Sequence, residues 1–176
     1  AEKSEAWQIA IGLQQVDGLY TSAYLLDTAK EHIEGKITIT EAQQRIHNYY
    51  AQRIDRKELE ADTKEADVVS ARIAQLLGEQ SFQFSPIEWK MIHRRLFEGI
   101  YDHAGQFRTY NISKKEWVLN GNTVTYASWN AINETLEYDF KQEKAFSYEG
   151  LSMQDAVKHL AKFTSDIWQV HPLDRK

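Results

Sequence analysis

A mostly α fold carrying a single β-hairpin is predicted by three observations. Apolar residues recur at helical spacing through most of the chain, caps and glycine stops punctuate those runs, and one stretch of strand-like pattern flanks Asn120-Gly121. The chain has 176 residues, of which 42% are apolar and 12% aromatic, with five Trp and nine Tyr. Large rings therefore supply much of the core. The length suits one domain of ordinary size, or one domain with a small helical appendage.

The first half reads as short helices. Ser4 is placed to cap a helix carrying Trp7, Ile9, Ile11, Leu13 and Val16, which stops at Asp17-Gly18, where glycine takes the left-handed closing conformation. A second helix follows Thr21-Ser22 and shows Tyr24, Leu25, Ala29 and Ile33 before Gly35. Thr38 with Glu41 has the capping-box pattern for a third, whose apolar side is Ile46, Tyr49 and Tyr50. A protein-binding or regulatory module and a plain helical subdomain covering a core both fit this trio. Arg53 to Glu65 is dense in charge, with Asp62-Thr63 as a helix cap, and marks a boundary that divides the chain into residues 1–60 and 61–176. Val68, Val69, Ile73, Leu76 and Leu77 then mark a helix closed by Gly78.

Ser85-Pro86-Ile87-Glu88 supplies a cap, a proline at the first helical position and an early carboxylate. The helix it starts is expected to reach about Tyr101, with a stripe of Trp89, Ile92, Leu96, Phe97 and Ile100. Beyond Gly105 the period changes. Trp117-Val118-Leu119 and Asn122-Thr123-Val124-Thr125-Tyr126 flank the Asn120-Gly121 turn, and a two-residue closure sets Leu119 opposite Asn122 and Trp117 opposite Val124. Such a hairpin is marginal alone, so it either packs on the helices as an ornament or serves as a flap over a cleft, its edge free to pair with an extended partner segment. Ser128 is placed to cap a helix with Trp129, Ile132, Leu136 and Phe140. Ser152-Met153-Gln154-Asp155 starts the last helix, with Val157, Leu160, Phe163, Ile167 and Trp168 at core spacing.

Charge and composition restrict the function. A net charge of −5 gives no electrostatic reason to expect nucleic acid, which needs a concentrated basic face and is disfavoured as a partner, and the absence of cysteine removes disulfides, thiolate metal sites and thiol nucleophiles. No stretch is long and apolar enough to span a bilayer, and the reading is a soluble, cytoplasmic protein. The initial Ala suggests a trimmed chain. His32, His47, His93, His103 and His159 are scattered without carboxylate pairing, so they read as surface or core residues and no metal ligand is assigned.

His171 leaves the end of the last helix, where Pro172 forbids continuation. A histidine there either complements the helix dipole or projects its imidazole into a cleft. The run Ile92-His93-Arg94-Arg95-Leu96-Phe97-Glu98-Gly99-Ile100-Tyr101-Asp102-His103-Ala104-Gly105-Gln106-Phe107-Arg108, the hairpin after it and the terminal His171-Pro172 together resemble the Fic (filamentation induced by cAMP) domain family, from about Pro86 onward. Residues before that look like the antitoxin-type helical segment some Fic proteins carry.

The resemblance implies a Fic-type helical domain with one hairpin flap, acting as a protein AMP transferase. It would move AMP from ATP, with magnesium, to a Ser, Thr or Tyr hydroxyl of a target protein docked at the flap through Trp117, Val118, Val124 and Tyr126. His171 matches the motif histidine, the general base; an imidazole of ordinary pKa takes a proton at neutral pH. Arg108 would lie near the nucleotide end of the flap, with a structural ion pair as the alternative. Asp17 is the nearest match to the inhibitory acid of the regulatory helix, although Leu13 replaces the expected hydroxyl residue, and a plain helix stop is the alternative.

The tail departs from the pattern. Leu173 replaces the usual Phe, Asp174 precedes the position of the acid, Arg175 occupies that position, and Lys176 stands where the first glycine of the anion cradle belongs. The chain thus ends inside the motif, and little or no transfer by these 176 residues is expected, since phosphate charge needs such a cradle. Two alternatives remain open. One is a non-catalytic protein-binding module using the flap and the helical segment; the other is Fic-type transfer of a different phosphate-containing group.

Overall fold

The computed structural model describes residues 2–52, 59–79, 82–115 and 123–173. Among them are seven α-helices and one pair of short strands, so the chain is mostly helical as expected. It divides into two compact units, Ala1–Phe82 with Arg95–Ile100, and Gln83–Arg94 with Tyr101–Lys176.

The first unit holds α1 (Glu2–Val16), α2 (Ala23–Ile33), α3 (Ile39–Ala51) and α4 (Leu59–Gly78). Local chemistry sets most of their ends. Ser22 Oγ accepts from Leu25 N at 3.0 Å, and Thr38 and Glu41 form the reciprocal capping box. α1 starts at Glu2, ahead of Ser4, and stops as expected, with Gly18 at φ 75° and Leu19 N donating to Gln14 O. α4 packs on α1 and α3, and Trp7, Ala10, Leu25, Ala29, Ile46, Ala71 and Ala74 bury one core. The expected boundary is therefore displaced: the first unit extends past residue 60 because the small residues of α4 close the core of the first three helices. Asp62-Thr63 lies inside α4 and starts no helix. Ile9, Leu13 and Val16 are exposed, for α1 turns Trp7 and Ala10 inward instead.

The second unit is built around α6 (Ile132–Ala145) and α7 (Met153–Val170). Ile132, Leu136 and Phe140 from one meet Ile167 and Val170 from the other, with Phe84, Phe107 and Phe163 packed against them. Phe84 and Phe140 lie 4.7 Å apart between centroids, and Phe140 meets Phe163 edge-on at 5.5 Å. α5 (Pro86–Phe97) starts where expected, Ser85 Oγ accepting from Glu88 N at 3.1 Å. It ends four residues before Tyr101, and Gly99 with φ 76° follows. The first-turn and last-turn portions of α5 fall in different units.

Three further expectations fail for nonlocal reasons. β1 (Ser113–Lys115) and β2 (Thr123–Thr125) pair antiparallel with Ser113 opposite Thr125 and Lys114 opposite Val124. In this register Val124 pairs with Lys114 and not with the expected Trp117; Trp117, Val118 and the Asn120-Gly121 turn lie outside the described residues. Ser128 makes no side-chain cap; Asn111 Oδ1 instead accepts from Trp129 N at 2.9 Å, ahead of a short 3₁₀ turn, Trp129–Ala131. α7 begins as read, with Asp155 N donating to Ser152 Oγ at 3.1 Å, but Val157, Leu160 and Trp168 are exposed while Phe163, Ile167 and Val170 face the core.

Candidate functional site

α7 ends as its sequence requires. Pro172 offers no N–H, and the last helical carbonyls need other donors. His171 forms the cap in the left-handed conformation, φ 44° and ψ 60°, and its N–H donates to Trp168 O at 3.1 Å. It is the only non-glycine residue with positive φ among those described. Glycine normally takes this position, because a Cβ there crowds the following carbonyl. A strained residue that carries a titratable ring at a helix end is a functional candidate on geometric grounds.

Arg108 holds this turn. The arginine is 5% exposed, and its Nε–H donates to His171 O at 2.8 Å, Nη1 to Tyr110 O at 2.7 Å, and Nη2 to Val170 O at 3.1 Å and to Ala127 O. Its main-chain N–H donates to Pro172 O at 2.9 Å. A buried guanidinium is bonded here to two carbonyls at the end of α7 and to two loop carbonyls. Arg108 was expected at the nucleotide end of the flap; the structure commits its fork to main-chain oxygens. Sequence spacing hides this arrangement, as Arg108 and His171 stand 63 positions apart.

Tyr126 was expected on a target-binding edge. Instead it is buried, with its ring against the His171 imidazole, centroids 4.7 Å apart and planes tilted by 39°. Val124 is half-buried on β2. Asp17 stands at the stop of α1 in the first unit, where its N–H donates to Gln14 O at 3.1 Å. His171, Arg108, Tyr126 and Val124 all belong to the second unit.

Two cavities are lined by residues that touch the His171 turn or belong to it. One, of about 360 Å³, is lined by Tyr126 and Val170 and by Asp139 and Asp166. Burial, and next the Asp166 charge, pushes the Asp139 carboxyl above its ordinary pKa. The other, of about 420 Å³, is lined by Arg108, Lys90, Gln106, Asn130 and Asn133, and the Lys90 ammonium sits 4.7 Å from the Phe107 ring centroid. An anion is repelled by the first and tolerated by the second.

No protein-family model, curated protein or solved structure matches the chain.

Three of the other histidines have structural partners. His93 is buried and its Nδ1 accepts from Gly105 N at 2.9 Å; His32 is buried and its Nδ1 accepts from Trp7 Nε1 at 2.9 Å. Both rings are held below the ordinary histidine pKa, chiefly by burial. His159 stacks on Phe146 at 3.5 Å and meets Glu143 Oε2 at 2.7 Å, a carboxylate pairing across 16 positions that no short motif spacing reveals. Among the described residues, no group of three His, Asp or Glu side chains is placed to hold a metal ion, and no helix is long and apolar enough to cross a membrane.

Proposed function

We propose that the chain carries the general-base side of a Fic-type protein AMP transferase, with His171 accepting the proton of a Ser, Thr or Tyr hydroxyl on a target protein. One observation carries this reading: a histidine is held at a helix end in a conformation that costs free energy, by a buried arginine and an aromatic ring. A helix stop alone is served better by Gly or Asn. The resemblance in the Ile92–Arg108 run and in His171-Pro172 supplies the reaction class. The fold agrees with it only at the level of a helical chain with one short hairpin.

The described residues do not fit ATP and magnesium well. Arg108 is committed to main-chain oxygens and the cavity beside Tyr126 is acidic; in sequence, Leu173-Asp174-Arg175-Lys176, of which the last three lie outside the described residues, departs from the anion-binding pattern. What His171 does to a hydroxyl is orient it and take its proton.

Incubating the complete gene product with ATP labelled at the α-phosphate, together with protein extract, tests the reading. Label is expected in protein and is expected to fall by about 100-fold or more in His171→Ala, in line with the loss of a general base. Labelling that is equal in the two proteins sinks the assignment. If His171→Ala keeps the cellular effect of the protein, the non-catalytic binding module takes its place. Substituting other nucleotides for ATP distinguishes AMP transfer from transfer of a related group.

A further inference from the structure

Three consecutive carbonyls, Val170 O, His171 O and Pro172 O, bracket the candidate base, and one residue, Arg108, binds all three, two through its fork and one through its main-chain N–H. The same fork binds Ala127 O, one residue beyond the ring that rests on the imidazole. Backbone turn and packing ring, the two features that aim His171, are therefore tied to a single buried guanidinium. These bonds are charge-assisted and lie out of water, where such bonds are strongest. The turn they hold is one an L-residue leaves when released, for the left-handed conformation crowds its Cβ against the following carbonyl.

We propose that Arg108 is the positioning residue of this site: it locks the left-handed turn at His171 and the Tyr126 ring against the imidazole, and so sets the direction from which His171 meets a hydroxyl. This rests on reading His171 as the general base. Lysine cannot replace the arginine, because an ammonium presents its donors from one point, whereas the fork reaches carbonyls in several directions at once.

The test uses Arg108→Lys and Arg108→Gln in the 176-residue chain, read by nuclear magnetic resonance of the histidine rings. The His171 signal is identified by its loss in His171→Ala. In the unaltered protein the Tyr126 ring, 4.7 Å from the imidazole, is expected to displace that signal from its free-histidine position. The expected result is that the substituted proteins keep a dispersed amide spectrum while the His171 signal moves back toward the free position. A folded variant with an unmoved His171 signal overturns the proposal, as does collapse of the amide spectrum throughout the unit in both variants, which would make the arginine a general stabiliser.

In the complete gene product, Arg108→Lys is expected to lower kcat by about 100-fold with an unchanged KM for nucleotide, as misplacement of a reacting group does. It is expected to add no further loss when His171 is already Ala. An undiminished loss in that background shows that Arg108 acts other than through His171, and overturns the proposal. Should the gene product transfer nothing, with or without His171, the functional reading falls, whereas the ring signals still decide what Arg108 does.

Discussion

His171 joins two properties that rarely coincide, a left-handed backbone and a large titratable side chain. The helix stop was legible, since Pro172 cannot extend α7. The conformation was not, because His-Pro in itself prescribes no positive φ. The cost of that backbone is testable apart from catalysis. His171→Ala and His171→Gly both remove the imidazole and its contact with Tyr126, but only glycine relieves the crowding of Cβ. The glycine variant is expected to be the more stable of the two by about 1 kcal/mol in urea unfolding. Equal stability, or a more stable alanine variant, refutes strain at this position.

At the scale of elements, the cleanest contrast is between two glycines of the same backbone geometry. Gly18 and Gly105 both have φ 75°. A Cβ at Gly18 meets nothing within 4 Å, whereas one at Gly105 falls 2.6 Å from Arg94 Cβ and 3.1 Å from Lys90 O. The loop after α5 thus presses on that helix so closely that only glycine fits, and Gly105 N reaches His93 from there. Gly18→Ala is expected to cost about 1 kcal/mol, from conformation alone. Gly105→Ala adds displacement of the α5 backbone and is expected to cost about 3 kcal/mol, as overpacked sites do. Equal losses in urea unfolding would show that the close approach to α5 has no energetic weight. Caps at Ser22, Thr38 and Ser152 were legible because each acts on a residue three positions away. The strand register was not, since it depends on which distant segment β2 meets.

At the scale of the molecule, each unit buries one histidine as a neutral acceptor, His32 under Trp7 and His93 at Gly105. Burial is the larger cause of lowered pKa in both; the Lys3 charge adds to it at His32, and His103 at His93. The unfolded chain binds a proton at each near pH 6.5 while the folded chain resists, so stability present above pH 6.5 is lost as pH falls below it. Asp67, its carboxyl raised by burial, contributes with the opposite sign, and comparison with variants removes it. Urea unfolding from pH 7.5 down to 5 is expected to show a smaller loss for His32→Gln and for His93→Gln than for the unaltered protein, in line with the number of titrating groups removed. A loss of the same size in all three proteins refutes the assignment.

The sequence by itself determined the helical class, the ends of most helices and the presence of a histidine at the last one, because caps, prolines and glycine stops act over a few residues. Only the tertiary structure decided that α4 belongs with the first three helices, that Val157, Leu160 and Trp168 face outward, and that Tyr126 packs on His171. It also turned Arg108 from an expected nucleotide contact into a clamp on a helix end 63 positions away. The physical reason is the same in each case. A helical stripe or a buried cation states only that a partner is needed, and which partner satisfies it depends on segments that meet after folding.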